Sequence, residues 1–333
     1  MSAAPGLRVL ITEPVMERFA DVLTRDGASP HTWDWALDGL PDPAALASYD
    51  VLVCSSARAP LLDAMTGLRL VQVTGAGTDK IDTAALRDGV ALANTYHHGR
   101  SIAEHVVMVS MMLLRGVMAS DAAMRRGTWS NAVATPGHPF GGVLGGRTLG
   151  VVGFGEIGAA VARAGAALGM RVRTVRRRPD APLPAGLDAG QVDWVGGEGD
   201  LLALLAASDV VVVTVPLGPG TTGLIGAAEL AAMKPTAVLV NVARGAVVDE
   251  QALHDALTER RIAGAGIDVW WRNPRDPDAP PPSYLDFTGL DNVVLTPHQS
   301  GHTAEVFAGR AGDVTDNVDA LAAGRPLRNP VAR

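Results

Sequence analysis

The segment "TLGVVGFGEIGAAVARAGAALGMRVRTV", residues 148–175, admits few folds. An apolar run leads into a glycine turn, an Ala-rich stretch of helical period follows, and a second apolar run closes it. Gly153, Gly155 and Gly158 form G-x-G-x-x-G. Alone that pattern is weak, but directly after a strand and opening a helix it points to a dinucleotide. Gly153 permits the tight turn, and Gly155 lets the backbone approach a pyrophosphate. That group would sit on the helix N-terminus, where Glu156 and Ile157 stand first. Gly158 brings the helix close to the strand. A purely structural glycine turn is the alternative.

The same alternation of short apolar runs and helical patterns recurs along the chain, which places it in the α/β class with parallel sheets. "LRVLIT", "YDVLVCSS", "LRLVQVT" and "GVALANT" read as strands of a first unit, and "PVMERFADVLTRDG" as one helix closed by Gly27. "ASDVVVVTVPL", "AVLVNVAR", "AGAGIDVW" and "NVVLTPH" extend the second. "TAEVFAGRAGDVTDNVDALAAG" reads as a closing helix. Between the units, residues 101–126 carry apolar positions at helical spacing, with Ser101 and Glu104 spaced as a capping box. This Met-rich helix suits either core packing or a face buried against a second subunit.

The 333 residues suffice for two domains, and 47% of them are hydrophobic. Net charge is −7, and the longest basic run is Arg176–Arg178. Nucleic-acid binding is therefore not expected. No apolar stretch reaches about 18 residues, so no membrane span is expected. No signal-like leader stands at the N-terminus. A single cysteine, Cys54, fits a buried small hydrophobe in a reducing compartment. A cytoplasmic location is the expectation. No metal-ligand spacing is evident.

The strand "MRVRTV" runs into Arg176, Arg177 and Arg178. A cofactor without a 2′-phosphate usually meets an acidic residue there, whereas arginine pairs with that phosphate. Arg176 and Arg177 thus favour NADP(H) over NAD(H). The alternative is one arginine on the adenine and the others solvated. Arg244 and His298 each follow an apolar strand, where parallel sheets place ligands. Arginine grips a carboxylate, and histidine carries the proton that accompanies hydride transfer. Read singly, either residue is equally a surface group.

The chain resembles the D-isomer-specific 2-hydroxyacid dehydrogenases over nearly its whole length. The motifs are "TGAGTDKID", "RSIAEHVVM", "RTLGVVGFGEIG", "TVPLGPGTTGLI", "MKPTAVLVNVARGAVVDEQAL", "AGAGIDVW" and "LTPH", in that order. The resemblance implies two Rossmann- or flavodoxin-like domains, with the cofactor domain, 99–298, inserted into a substrate domain, 1–98 plus 299–333. It implies a cleft between them and a homodimer built on the helix near 101–126. It makes Arg244 the substrate-binding arginine and His298 the acid/base. Ala76 and Gly77 become the turn whose amides hold the substrate carboxylate. Val215, Pro216 and Thr222 lie along the cofactor, Val242, Ala243 and Asp268 meet its carboxamide, and Ser300 and Gly301 follow beside the nicotinamide. The implied reaction is hydride transfer between a nicotinamide cofactor and a small 2-oxo or 2-hydroxy acid, as a reductase.

One position departs. The family pairs its histidine with a Glu five residues after the Asp of "DV", and here that place is held by Asn273. An amide orients a ring but supplies no charge to raise its pKa. Formate dehydrogenases, a branch of the same superfamily, carry an amide before Pro here and "SG" after the histidine. Their substrate-binding Asn would fall on His98, a second substrate-contact candidate. Formate-, phosphite- or phosphonate-type oxidation, and a non-catalytic NAD(P)-sensing protein, are the alternatives. Trp270, Trp271, His97, His98 and Arg100 are candidates to line the pocket, with packing as the other reading.

Overall fold

A computed structural model describes residues 6–272 and 280–332. Asn273 lies outside the described residues. The chain divides into two compact units, one comprising Met1–His97 with Thr303–Arg333, the other His98–His302.

The first unit holds five strands: β1 (Arg8–Ile11), β2 (Thr32–Trp35), β3 (Val51–Cys54), β4 (Leu70–Val73) and β5 (Ala91–Ala93). They form one parallel sheet in the order β2-β1-β3-β4-β5. The central strands are buried along their whole length, as expected where helices cover both faces. Short helices α1 (Ala20–Thr24), α2 (Pro43–Leu46) and α3 (Ala59–Ala64) connect them.

The second unit opens with α4 (Gly99–Leu114) and α5 (Val117–Arg125). Among the described residues its seven strands are β6 (Thr148–Val152), β7 (Arg171–Val175), β8 (Val192–Gly196), β9 (Val210–Val213), β10 (Val238–Asn241), β11 (Gly264–Ile267) and β12 (Val293–Leu295). They pair in parallel, in the order β12-β11-β10-β9-β6-β7-β8. This is a doubly wound sheet whose direction of growth reverses between β6 and β9, the point where such sheets bind ligands. Helices α6 (Glu156–Ala167), α7 (Leu201–Ala207), α8 (Ala227–Ala232) and α9 (Glu250–Thr258) surround it. One apolar core lies on each face. The last helix, α10 (Ala304–Ala322), belongs to the first unit, where Ala311, Val314 and Val318 pack under β1, β3 and β4.

Three local expectations are corrected. The helix expected over 14–27 is a 3-10 segment, Pro14–Phe19, followed by the short α1. Phe19 leaves helical geometry (φ −124°, ψ 25°) and stacks on Phe307, centroids 6.0 Å apart. The single helix near 101–126 is two, α4 and α5, bent by 65°. The bend is at Gly116, which adopts a left-handed φ of 59° that a side chain would resist. Third, Ser101 and Glu104 do not cap. The helix starts earlier, at Gly99, because a glycine there lets α4 approach α6, and an added Cβ would sit 3.2 Å from Glu156 Oε1. Ser101 Oγ instead donates to the Ser300 carbonyl (2.7 Å), and Glu104 pairs with Arg100. Strands β2 and β8 were not foreseen, being edge strands that carry exposed and half-exposed residues. No single helix among the described residues is long and apolar enough to cross a membrane.

Candidate active site

At the switch point of the seven-stranded sheet, each glycine of the turn has its own steric reason. Gly153 has φ +93°, and a Cβ there would lie 2.7 Å from Val215 Cγ1. A Cβ on Gly158 would lie 2.3 Å from the Gly153 carbonyl oxygen. Gly155, the N-cap of α6, would meet nothing within 4 Å. The first two requirements close the turn, and the third leaves its outer face open above the first-turn amides of α6, which begins at Glu156 and Ile157. That cradle fits a pyrophosphate. Val215 and Pro216 follow β9 on the other side of the switch point. Thr214 Oγ1 ties this segment to the Gly153 carbonyl (2.8 Å). Thr222 Oγ1 donates to Gly218 O (3.0 Å), so its hydroxyl braces the loop.

Arg176 follows β7. Its terminal nitrogens donate to the carbonyls of Pro179 (3.0 Å), Pro182 (3.1 Å) and Ala181, and its guanidinium lies 5.9 Å from the centre of the Phe154 ring. It organises the loop that Arg177 and Arg178 enter, and both of those are exposed.

Arg244 and His298 stand at the carboxyl ends of β10 and β12, which flank β11. Two strand spacings separate the two strand ends, about 10 Å. Asn241 Nδ2 donates to the Arg244 carbonyl (3.0 Å) and its Oδ1 accepts from the Ala243 amide (3.1 Å), which folds Val242 and Ala243 into a turn. Arg244 Nη1 donates to Ala243 O (2.8 Å). A Cβ at the next residue, Gly245, would lie 2.2 Å from the Trp270 carbonyl carbon, so only glycine lets this turn cross the chain leaving β11.

Between these strand ends sits Asp268, 1% exposed. One of its oxygens accepts from Thr296 Oγ1 (2.6 Å) and the Gln299 amide (2.9 Å), the other from the Ser300 amide (3.1 Å) and Ser300 Oγ. Four donors fill a carboxylate. Burial alone would favour the neutral acid. The Ser300 and Thr296 hydroxyls and the two amides outweigh it and hold the carboxyl below its ordinary range. Asp268, expected against the cofactor, thus grips the loop on both sides of His298. His298 itself is exposed, has φ +57° and stacks on His302, ring centroids 6.1 Å apart. Ser300 has its amide and hydroxyl on Asp268 and its carbonyl on Ser101. Gly301 is buried against His98, which stands at the N-cap position of α4 without a side-chain capping bond and is 4% exposed. On α4, burial lowers the pKa of His105, partly opposed by the charge of Asp268.

Trp270 and Trp271 pack on the core rather than stand free. Trp271 stacks on Phe287 at 5.5 Å and donates to Val248 O (2.8 Å), while Trp270 donates to Thr296 O (2.9 Å). Arg100 is exposed and paired with Glu104.

In the first unit, Ala76 and Gly77 follow β4. Asn94, just past β5, donates through Nδ2 to the Ala76 carbonyl (2.7 Å), and the Thr95 amide donates to Gly75 O (3.2 Å). Those ties leave the turn amides to be presented by a fixed backbone. His97, two residues on, has φ +67° and pairs with Asp313 of α10. Asn94 and Asp313 lie in none of the motifs, and Thr296 and Asn241, within "LTPH" and "MKPTAVLVNVARGAVVDEQAL", were given no hydrogen-bonding role of their own. Only their position at strand ends, or on the buried face of a helix, could have marked them.

Residues 107–300 match the family model described as D-isomer specific 2-hydroxyacid dehydrogenase, NAD binding domain. The chain is 34% identical over 273 residues to the glycerate dehydrogenase of Methylorubrum extorquens, 81% of each chain being covered. It is 36% identical to the 2-ketogluconate reductase of Gluconobacter oxydans, again over 81% of each. A similar 36% relates it to the glyoxylate reductase of Korarchaeum cryptofilum, over 95% of this chain and 93% of that one. Among solved structures, a D-isomer specific 2-hydroxyacid dehydrogenase family protein from Aeromonas salmonicida superposes with a TM-score of 0.82, at 26% identity, over 98% of this chain and 99% of that one. Taken with the glycine cradle and the two sheets, these matches show that this chain belongs to the D-isomer specific 2-hydroxyacid dehydrogenase family, nicotinamide-dependent oxidoreductases of hydroxy and oxo acids.

Proposed function

We propose that this protein is an NADP(H)-preferring reductase of small 2-oxo acids, with Arg244 and His298 as its substrate-binding and proton-carrying residues. The observation that carries the reading is Asp268. Its four hydrogen bonds hold the loop bearing His298 at the carboxyl end of the sheet on which Arg244 also stands. When bound, the nicotinamide supplies the hydride. Arg244 pairs with the acid's carboxylate and polarises the neighbouring carbonyl. His298 delivers the proton to the oxygen that becomes the hydroxyl. The Ala76–Gly77 amides hold the carboxylate from the first unit, in the substrate domain formed by the chain's two ends. The domain spanning the glycine cradle holds the cofactor through Gly153, Gly155, Gly158, Val215 and Pro216.

The preference for NADP(H) rests on Arg177 and Arg178, exposed beside a loop that Arg176 braces. An arginine there pairs with a 2′-phosphate. The protein works as a homodimer in the cytoplasm. A groove of about 770 Å³ lined by Val107, Met108, Met111, Met112, Val117 and Leu168 lies along α4, α5 and α6. Trp129, Val133 and Phe140, which follow α5, are 70%, 96% and 86% exposed. Apolar surface of that extent suits a subunit interface.

The test is NADPH consumption with glyoxylate, hydroxypyruvate, pyruvate and phenylpyruvate, run beside NADP⁺ reduction with formate and phosphite. Turnover of 2-oxo acids supports the reading. Turnover of formate or phosphite alone overturns it in favour of the branch that carries an amide at position 273. Tight NADPH binding without any turnover overturns it in favour of a sensor.

A further inference from the structure

His97 is held in a way that a surface residue does not need. Its φ of +67° lies in the left-handed region, which a non-glycine residue rarely adopts and which persists only where the surroundings impose it. Its Nε2 lies 2.9 Å from Asp313 Oδ2. Asp313 is itself buried, at 5% exposure, and its other oxygen is held by Arg328 Nη1 at 3.2 Å. The ring rests on Gly309, where a Cβ would come within 2.6 Å of Nδ1, so α10 must carry a glycine at that turn for the ring to fit. Despite these constraints the imidazole is 40% exposed, and among the described residues no hydrogen bond engages Nδ1.

A carboxylate only accepts hydrogen bonds, so the Asp313 contact calls for a proton on Nε2, and in the neutral ring Nδ1 is then the acceptor. An oriented lone pair of this kind recognises a donor. His97 follows β5 at the same carboxyl edge of the sheet as the Ala76–Gly77 turn, and the two are linked through Asn94 and Thr95. We infer that His97, positioned by Asp313, accepts a hydrogen bond from a hydroxyl on the carbon chain of the substrate, and so selects hydroxylated 2-oxo acids over their deoxy analogues. The inference rests on the reductase reading above and deepens it. His97 is the specificity-determining residue, and Asp313 is a positioning residue that acts through it.

Hydroxypyruvate and pyruvate differ by one hydroxyl and are the probes, with phosphonopyruvate as an anionic control. The wild-type enzyme is expected to favour hydroxypyruvate in kcat/KM. His97→Asn, which tolerates the backbone angle, is expected to cut the hydroxypyruvate-to-pyruvate ratio of kcat/KM about tenfold, the worth of one hydrogen bond. The loss should fall in KM for hydroxypyruvate. Asp313→Asn should lower the same ratio to a smaller extent. NADPH binding by fluorescence checks that both variants remain folded. An equal loss for hydroxypyruvate and pyruvate, or no loss for either, overturns the inference while leaving the reductase reading intact. A loss confined to phosphonopyruvate overturns it too, because the ring would then be reading an anion. A wild-type enzyme that turns over no 2-oxo acid at all fails the reductase reading itself.

Discussion

Asp268 receives both the backbone amide and the hydroxyl of Ser300, and with them fixes the segment that carries His298. The carboxylate sits past β11, the histidine past β12, and their connection is made two residues beyond the ring it serves. Asp268→Ala leaves the Thr296 and Ser300 hydroxyls and two amides without an acceptor. It is expected to cost about 3 kcal/mol of stability and to lower kcat with little change in NADPH affinity, measured by thermal unfolding and steady-state kinetics.

The same carboxyl makes a pH prediction. Its folded pKa is depressed, so the stability it contributes is fully present above its ordinary value of about 3.9 and is lost as pH falls through the lower folded value. The stability gap between the wild-type protein and Asp268→Asn should therefore be widest at neutral pH and narrow below about pH 4. A gap independent of pH would show that the carboxylate is not ionised in the native protein.

The arginines after β7 separate by role. Arg177→Ala is expected to weaken NADPH binding about tenfold while sparing NADH, the loss of one exposed phosphate contact. Arg176→Ala removes the hydrogen bonds to Pro179, Ala181 and Pro182 and should lower thermal stability and weaken both cofactors alike. Fluorescence titration with the two nucleotides distinguishes these patterns.

Asn273→Glu restores a carboxylate at the place where the family pairs one with its histidine. A carboxylate near an imidazole favours the imidazolium. The pH profile of kcat/KM for 2-oxo acid reduction should therefore move upward. An unmoved profile would mean that residue 273 is not the partner of His298.

Cys54, at the end of β3 and fully buried, is an inert thiol. Burial pushes it up to about 12. It should resist maleimide at pH 7 in the native protein and react on unfolding, read by mass spectrometry.

The parallel sheets, the glycine cradle and the strand-end placement of Arg244 and His298 were legible because each rests on local pattern: apolar runs bounded by glycine, and polar residues just past them. What escaped was set by contacts distant in sequence. The break at Phe19 depends on Phe307, and the start of α4 at Gly99 depends on Glu156 and Ala160. Asp268 matched a position expected to touch cofactor, and its hydrogen bonds to Thr296 and Ser300, about thirty residues on, were not legible beside it. The engagement of Arg176 with carbonyls of its own loop follows from a turn that a run of three arginines does not reveal.

The most direct test of the account compares NADPH oxidation by the wild-type enzyme and by His298→Gln with a 2-oxo acid that the wild type accepts. Loss of the proton carrier should lower kcat by roughly 10²–10⁴-fold while NADPH binding is retained. A variant that reduces the acid at the wild-type rate would contradict the assignment of His298, and with it the proton-coupled reduction proposed for this protein.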